Sequence, residues 1–425
     1  MDYSPLARKK REKEFFKQMG ELASTQRIQL LVEVAEKKDE RQVWGEIAQF
    51  AVDDAHIHAY EYIPYVAITA PREKAVLLAQ ALYRQGYRDD RLQHLSTKTL
   101  LDVEISHTMT IPELSLPGQA PLSTMYRQRY RDYRRGQGAL GEQEDKEIQK
   151  PRWNLRNIGF YNLSNMSSPG RDINLAIIDT GCDYNHLEIR SRFNRSRLGY
   201  NIIEKNNDPK DGHSHGTHCA GSAAGVHVGV ARGCNLFAVK VLDDRGSGSE
   251  AGVIEGIEWC IKNGMHVGSM SLGSPTTSRA FKMICDRSRL EGLVLVAAAG
   301  NSYFGDSYPA AFDSVIAVAA VDRKNMHAEF SNVSTHNNIS APGVDVFSCI
   351  PNGEYAKYSG TSMATPHVAG VLTARLEVKH EDPEDLEDRM ERKAQPLGTG
   401  TREIDRPVYG AGLVRVDKLV GDTEV

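Results

Sequence analysis

Three short segments of this chain each hold one residue of a type used in acyl transfer. Ala176-Ile177-Ile178-Asp179-Thr180-Gly181 is an apolar run ending in a carboxylate and a glycine turn. Gly212-His213-Ser214-His215-Gly216-Thr217-His218-Cys219-Ala220-Gly221 sets histidines ahead of small residues that suit a buried helix. Gly360-Thr361-Ser362-Met363-Ala364-Thr365-Pro366-His367-Val368-Ala369-Gly370 sets a serine at the start of a second such stretch. Each residue alone has an ordinary reading. A strand-end Asp caps a helix, a lone His is structural, and a Ser before a helix is an N-cap. Together they supply what a serine nucleophile needs. A hydroxyl is a weak nucleophile at neutral pH and requires an imidazole to take its proton. That imidazole requires a carboxylate to fix its tautomer and stabilise its charged form. The combination points to Asp179, His215 and Ser362 as a triad.

IIDTG, HSHGTHCAG and GTSMATPHVAG resemble the signature segments of the subtilisin-like serine proteases (the subtilase family), in the family's order Asp, His, Ser. The resemblance runs from about Pro151 to the carboxyl end. Within the family, Cys219 and the stretches GVARGCNLFAVKVLDDRGSGS and PRWNLRNI look most like the proteinase K branch. The resemblance implies that Asn301, closing Val296-Ala297-Ala298-Ala299-Gly300-Asn301, donates to the oxyanion of the tetrahedral intermediate, with the Ser362 backbone N–H as second donor. It implies that Ser271-Leu272-Gly273 and Ala298-Ala299-Gly300 are the walls of the primary pocket. Ser247-Gly248-Ser249 becomes an edge that pairs with an extended substrate. The loop after Asn301, SYFGDSYPA, is shorter than usual and leaves the pocket floor undefined. Its Asp306 either favours basic side chains or is a solvated loop acid. By family pattern His218 and His367 are packed helix residues and His213 belongs to a surface loop. Cys219 is either a reactive thiol beside the site or a small buried hydrophobe.

The chemistry requires no cofactor. Structural calcium, usual in the family, is in question here. The calcium-wrapping insertion is missing from SAAGVHVGVA, and Asn338 replaces the usual Asp, leaving Asp313 and the Val315 carbonyl as donors. The expected activity is a serine endopeptidase acting on proteins or peptides through an acyl-enzyme. Two alternatives remain open: a transpeptidase or macrocyclase of the same family, and a catalytically dead peptide-binding protein.

The elements that must position these residues follow from the hydrophobic pattern. Near-continuous apolar runs (INLAIID, NLFAVKVL, HVGSMSLG, LVLVAAAGN, SVIAVAAV) alternate with helical stretches (EAGVIEGIEWCIKNG, SRAFKMICDRSRLEG). That is the pattern of a parallel sheet buried on both faces. The expected fold is α/β, a doubly wound, mostly parallel subtilisin-like sheet spanning 151–425, with a smaller N-terminal α+β region. Sites in such sheets lie at the carboxyl ends of the strands.

The chain has 425 residues, too many for one core of ~250–300 residues. Residues 1–44 read as a charged extension with one or two amphipathic helices, placed on Leu22, Ile28, Leu31, Val32, Val34 and Ala35. Residues 45–110 read as a prodomain-like or targeting α+β domain. In it Ala59–Ala70 is a strand, the stretch from Pro71 an amphipathic helix, and LLDVEI a strand ending at Ile105. Tyr62-Ile63-Pro64-Tyr65 resembles the blocking motif of intracellular subtilases, but its distance from the catalytic half argues against that role. Residues 111–150, with Pro112, Pro117, Pro121 and an Arg–Tyr run before an acidic run, read as a linker. The N-terminal region is expected to inhibit the enzyme until cut or displaced, with partner targeting as the other reading.

A net charge of −4 gives no electrostatic case for nucleic acid. No apolar run approaches the ~18 residues of a membrane span. MDYSPLARKKREKEFF has no apolar signal core, so a cytoplasmic protein is expected. Six cysteines without a C-x-x-C pair are then expected to be thiols.

Overall fold

The computed structural model describes residues 14–19, 27–34, 56–63, 65–71, 74–76, 78–79, 100–111, 152–163 and 168–421. They belong to two compact units, Met1–His107 with Thr277–Arg287, and Thr108–Thr276 with Ser288–Val425.

In the first unit, β1 (Arg27–Val34), β2 (His56–Ala59), β3 (Tyr65–Pro71) and β4 (Leu100–Ile105) form an antiparallel sheet in the order β2-β3-β1-β4. Two expectations are corrected here. Residues 27–34 are a strand, not a helix. Ile28, Leu30 and Val32 alternate onto one face with Val66, Ile68 and Ala70, where they cluster with Phe15, Met19, Ala75, Leu78 and Ala79. The period of two prevails because every second residue from Ile28 is apolar and meets a matching neighbour on β3. This strand shares a sheet with residues 56–105, across the boundary expected at residue 44. Nor is Ala59–Ala70 one strand. β2 ends at Ala59, the chain bends at residues 61–63, and Tyr60 N donates to Tyr65 O where β3 begins. The strand expected to end at Ile105 is β4. Residues 14–19 of the charged extension are helical, as expected, with Phe15 and Met19 buried. The remainder of the extension beyond these and β1, the rest of the helix expected from Pro71, and residues 112–150 of the linker lie outside the described residues.

The second unit begins with β5 (Thr108–Thr110) and α1 (Trp153–Asn157). There follow β6 (Asn174–Asp179), β7 (Gly199–Asn201), α2 (His215–Ala224), β8 (Asn235–Lys240), β9 (Ser247–Ser249) and α3 (Glu250–Lys262). Then come β10 (Val267–Met270), β11 (Val294–Ala298), β12 (Val315–Val321), β13 (Asn337–Pro342), the hairpin β14 (Val346–Ile350) and β15 (Glu354–Tyr358), and α4 (Thr361–Val378). Seven of these strands form the main sheet, in the order β13-β12-β11-β10-β6-β8-β7, and all its pairs are parallel. β10, β11 and β12 are buried along their whole length, as continuous apolar runs require. From β6 the chain moves out to β7 and β8, then crosses back to β10 and proceeds the other way. That reversal is the switch point at which such sheets open a crevice.

One helix fills the middle of the unit. Residues 361–376 of α4 are all buried, and α4 packs on α2 and on β10 through β13. Small side chains such as Ala364, Ala369, Gly370 and Ala374 let a helix sit that deep. The six cysteines are buried and form no disulfide. Among the described residues no helix is long and apolar enough to cross a membrane.

Candidate active site

Asp179 is the last residue of β6 and His215 the first of α2. The His215 Nδ1 lies 2.8 and 3.0 Å from the two Asp179 carboxylate oxygens, and both side chains are almost fully buried. A second carboxylate sets this geometry. Asp211, itself buried, accepts from the backbone N–H of Ser214 and Thr217 at the start of α2 and from the Thr180 hydroxyl at the end of β6. It thereby caps α2 in place of Ser214, whose φ of 106° takes it out of ordinary N-cap conformation. Gly216 allows the approach, because a Cβ there would lie 2.1 Å from the Gly181 carbonyl oxygen. Burial alone would lower the pKa of His215. The Asp179 carboxylate, with help from the Cys219 sulfur, outweighs it and holds the imidazole well above its ordinary value.

Ser362 is the second residue of α4. Four residues on, Pro366 has no N–H to give, so the Ser362 carbonyl escapes the helical ladder. That carbonyl instead accepts from the Ser271 hydroxyl at 2.8 Å and from the Cys219 thiol at 3.5 Å. A helix-breaking residue thus fixes the nucleophile's backbone to the end of β10. The Ser362 hydroxyl donates to the Ser271 carbonyl at 3.3 Å, and His215 Nε2 is buried without a hydrogen-bond partner. Catalytic hydrogen bonds are often open before substrate arrives. The Asn301 Oδ1 accepts from the Thr361 N–H at 3.0 Å and from the Thr361 hydroxyl at 2.8 Å, which turns the donating end of the amide the other way. Gly300, with φ of +104°, makes the turn that delivers it.

The two segments expected as walls adjoin these groups. Ser271–Gly273 follows β10, Ala298–Gly300 closes β11, and Gly300 N donates to the Thr361 hydroxyl beside the nucleophile. Between the walls stands Ser307. A Cβ on Gly273 would meet its Oγ at 2.2 Å, and one on Gly300 its Cβ at 3.2 Å. Asp306 turns elsewhere and accepts from the Ser334 hydroxyl at 2.7 Å. The edge Ser247–Ser249 is β9, and it is occupied. β5 pairs with it antiparallel, and Thr110 also exchanges backbone hydrogen bonds with Gly273 at 2.9 and 3.1 Å.

All the residues expected for catalysis and substrate pairing therefore lie on adjoining elements of one unit. Ser307, Asp211 and Pro366 were not singled out from the sequence. Pro366 had a usable signal, a proline inside a helical motif four residues past the serine. Asp211 and Ser307 sit in polar loops where nothing local distinguishes them. His218 and His367 are packed helix residues, with burial pushing them down to about 3 and about 4. Cys219 is fully buried, its thiol pushed up chiefly by burial.

The cluster of potential metal ligands found among the described residues is Asp179, His215 and Cys219. The His215 Nδ1 is engaged by Asp179 and Cys219, and the Cys219 thiol also donates to the Ser362 carbonyl. At the expected calcium position, Asn338 does not fit a cation ligand. Its Oδ1 accepts from Ala317 N, and its Nδ2 donates to Glu387 and Glu391.

The model of the subtilase family matches residues 170–412. Subtilisin NAT of Bacillus subtilis subsp. natto and subtilisin E of Bacillus subtilis (strain 168) are each 40% identical over 276 residues, covering 60% of this chain and 70% of theirs. Subtilisin of Bacillus pumilus is 40% identical over 276 residues, 96% of its length.

Proposed function

The chain belongs to the subtilase family and is a subtilisin-like serine endopeptidase, and on that premise we propose how its own residues carry the reaction. Asp179 holds His215 by Nδ1 and leaves Nε2 as the base. Ser362 gives its hydroxyl proton to Nε2 as Oγ attacks the substrate carbonyl, and the imidazolium then protonates the departing amine. Water, deprotonated by the same nitrogen, releases the acyl group. The Asn301 amide and the Ser362 N–H take the developing oxyanion at the positive end of α4. Before substrate binds, the hydroxyl rests on the Ser271 carbonyl. An extended peptide offers its own N–H to that carbonyl, displacing the hydroxyl and turning it toward His215. The substrate side chain enters between Ser271–Gly273 and Ala298–Gly300, with Ser307 at the floor.

The N-terminal region acts as the enzyme's own inhibitor, removed or displaced on activation. The observation that carries this is β5, whose residues Thr108–Thr110 pair with the edge that substrate would use. Within the family, Cys219 and the sequence around Cys234 favour the proteinase K branch. No cofactor enters the chemistry, and neither nucleic acid nor membrane is a partner. A cytoplasmic location suits six buried cysteines without a disulfide.

Product analysis with an unstructured protein substrate, with and without an added amine nucleophile, tests the assignment. Hydrolytic fragments should dominate in both. Amine-capped products in excess of hydrolysis would instead indicate a transpeptidase, and absence of any turnover a binding protein.

A further inference from the structure

The mechanism above leaves a buried cation unused. Lys240 closes β8 in register with Asp179 at the end of β6, and only 7% of its side chain is exposed. A lysine is rarely buried to that extent, because its ammonium loses hydration that the protein must replace. The Lys240 Nζ donates to the Thr180 carbonyl at 2.7 Å and to Asp244 Oδ1 at 2.8 Å. The Asp244 side chain is 66% exposed, so this is not a sealed pair whose charges cancel inside the core. What the ammonium touches within the protein is the residue next to the catalytic carboxylate.

Thr180 joins three charged side chains. Its N–H donates to Asp179 Oδ1 at 2.7 Å, its hydroxyl donates to Asp211 Oδ1 at 2.9 Å, and its carbonyl accepts from Lys240. Its hydroxyl also accepts from the backbone N–H of Gly216, next to the base, at 3.0 Å. Asp179 and Asp211 are both buried. When His215 is neutral, as the base must be, these two carboxylates lack its charge and Lys240 supplies one. On the outer side Asp244 lies against Gly212, where a Cβ would come within 2.2 Å of its carboxyl carbon. The hydrogen bond from Lys240 is the main influence holding Asp244 below the usual carboxylate range. The field of Lys240 also reaches the His213 imidazole, which partial burial, His215 and then Lys240 hold below its ordinary value.

We propose that Lys240 is a positioning residue for the catalytic pair, acting through Thr180 and through its charge. The ammonium fixes the Thr180 carbonyl, and with it the end of β6 that presents Asp179 to His215. Its charge offsets the two buried carboxylates, which would otherwise over-stabilise the imidazolium and leave less of the free base. The inference rests on the endopeptidase reading above. The titratable and charged groups around His215 are Asp179 on β6, Asp211 and His213 in the loop before α2, His218 and Cys219 on α2, and Lys240 on β8. A cation near an imidazole disfavours its protonated form. Removing the Lys240 charge should therefore move the acid limb of the reaction to higher pH. Removing the Asp244 charge leaves Lys240 less compensated and should move the limb the other way.

The test uses the full chain, with the rate of fluorophosphonate labelling measured against pH in wild type, Lys240→Met, Lys240→Arg and Asp244→Asn. Methionine keeps much of the lysine stem without the charge, arginine keeps the charge, and Asp244→Asn alters an exposed acid. In Lys240→Met the acid limb should rise by ~0.5 pH unit or more, and the plateau rate should fall about tenfold as Thr180 loses its anchor. Lys240→Arg should bring the limb back to within ~0.2 unit of wild type, and Asp244→Asn should lower it by ~0.3 unit, less because that charge is exposed and screened. A lysine that served the fold alone would cost Tm and leave the limb where it was. An unmoved limb in both Lys240→Met and Asp244→Asn, or movement in the same direction in both, would overturn the inference. Should Lys240→Met fold poorly, the other two variants decide. An Asp244→Asn limb that stays put or rises, or a Lys240→Arg limb displaced upward at wild-type Tm, counts against the proposal. Absence of labelling in every protein would count against the endopeptidase reading itself, whereas brisk labelling with the limb fixed throughout would sink only the role of Lys240.

Discussion

At the scale of single residues, His215 sits between opposed influences. Burial pushes its pKa down, and the Asp179 carboxylate 2.8 Å away more than reverses that. The base must be neutral to work, so kcat/KM should rise with pH through this raised value. Asp179→Asn removes the main raising influence. Its acid limb should therefore move to lower pH, with turnover down ~10⁴-fold because the tautomer is no longer fixed. A pH–rate profile measures both, and an unmoved limb would mean that Asp179 does not face the working imidazole. Asn301→Ala should cost ~10²–10³ in kcat with little change in KM, the loss found for one such donor in a subtilisin. A loss confined to KM would make Asn301 a substrate-binding group. Asp179, His215, Asn301 and Ser362 were legible because each lies in a long motif whose residue types have joint chemical meaning. Asp211 was not, because what matters is five donors brought to its carboxylate by folding, among them Thr180 from another segment.

Elements were legible where the hydrophobic pattern had one reading. β6, β8, β10, β11 and β12 are apolar runs with helical stretches between, and they are the parallel core of the sheet. β1 was misread because Ile28, Leu31, Val32 and Val34 satisfy a helical spacing as well as a strand's, and only its partners β3 and β4 decide. The β2–β3 hairpin was hidden by an aromatic-rich run with no Gly in its bend. Helix α4 carries a prediction of its own. Pro366→Ala restores an N–H that can claim the Ser362 carbonyl in competition with the Ser271 hydroxyl and Cys219. Helix stability should not suffer, since an interior proline costs ~3 kcal/mol relative to alanine. The variant should thus keep its Tm while kcat falls about tenfold. A lowered Tm with unchanged kcat would show that Pro366 serves packing alone.

For the whole molecule, the chain passes at residues 107 and 108 from an antiparallel sheet into the unit that holds the catalytic groups. Its first four residues there lie along the substrate edge. Composition divided the chain near residue 150, whereas this passage lies some forty residues earlier. No compositional step marks it, because a strand of Thr-Met-Thr is unremarkable until its partner is known. The polar, proline-punctuated stretch beyond Ile111 has the composition of a protease-accessible segment. Purified wild type should slowly convert to a species beginning between about residues 112 and 155, and Ser362→Ala should not. Intact mass over time reads this directly, and conversion at equal rates would place the cutting activity elsewhere. The most direct trial of the account is covalent labelling of the nucleophile. Full-length protein exposed to a fluorophosphonate should gain a single adduct that peptide mapping finds on Ser362. His215→Ala should lose that adduct, and Ser362→Ala should lose both the adduct and peptide cleavage while keeping its fold. An adduct on another residue, or cleavage by Ser362→Ala within tenfold of wild type, would contradict it.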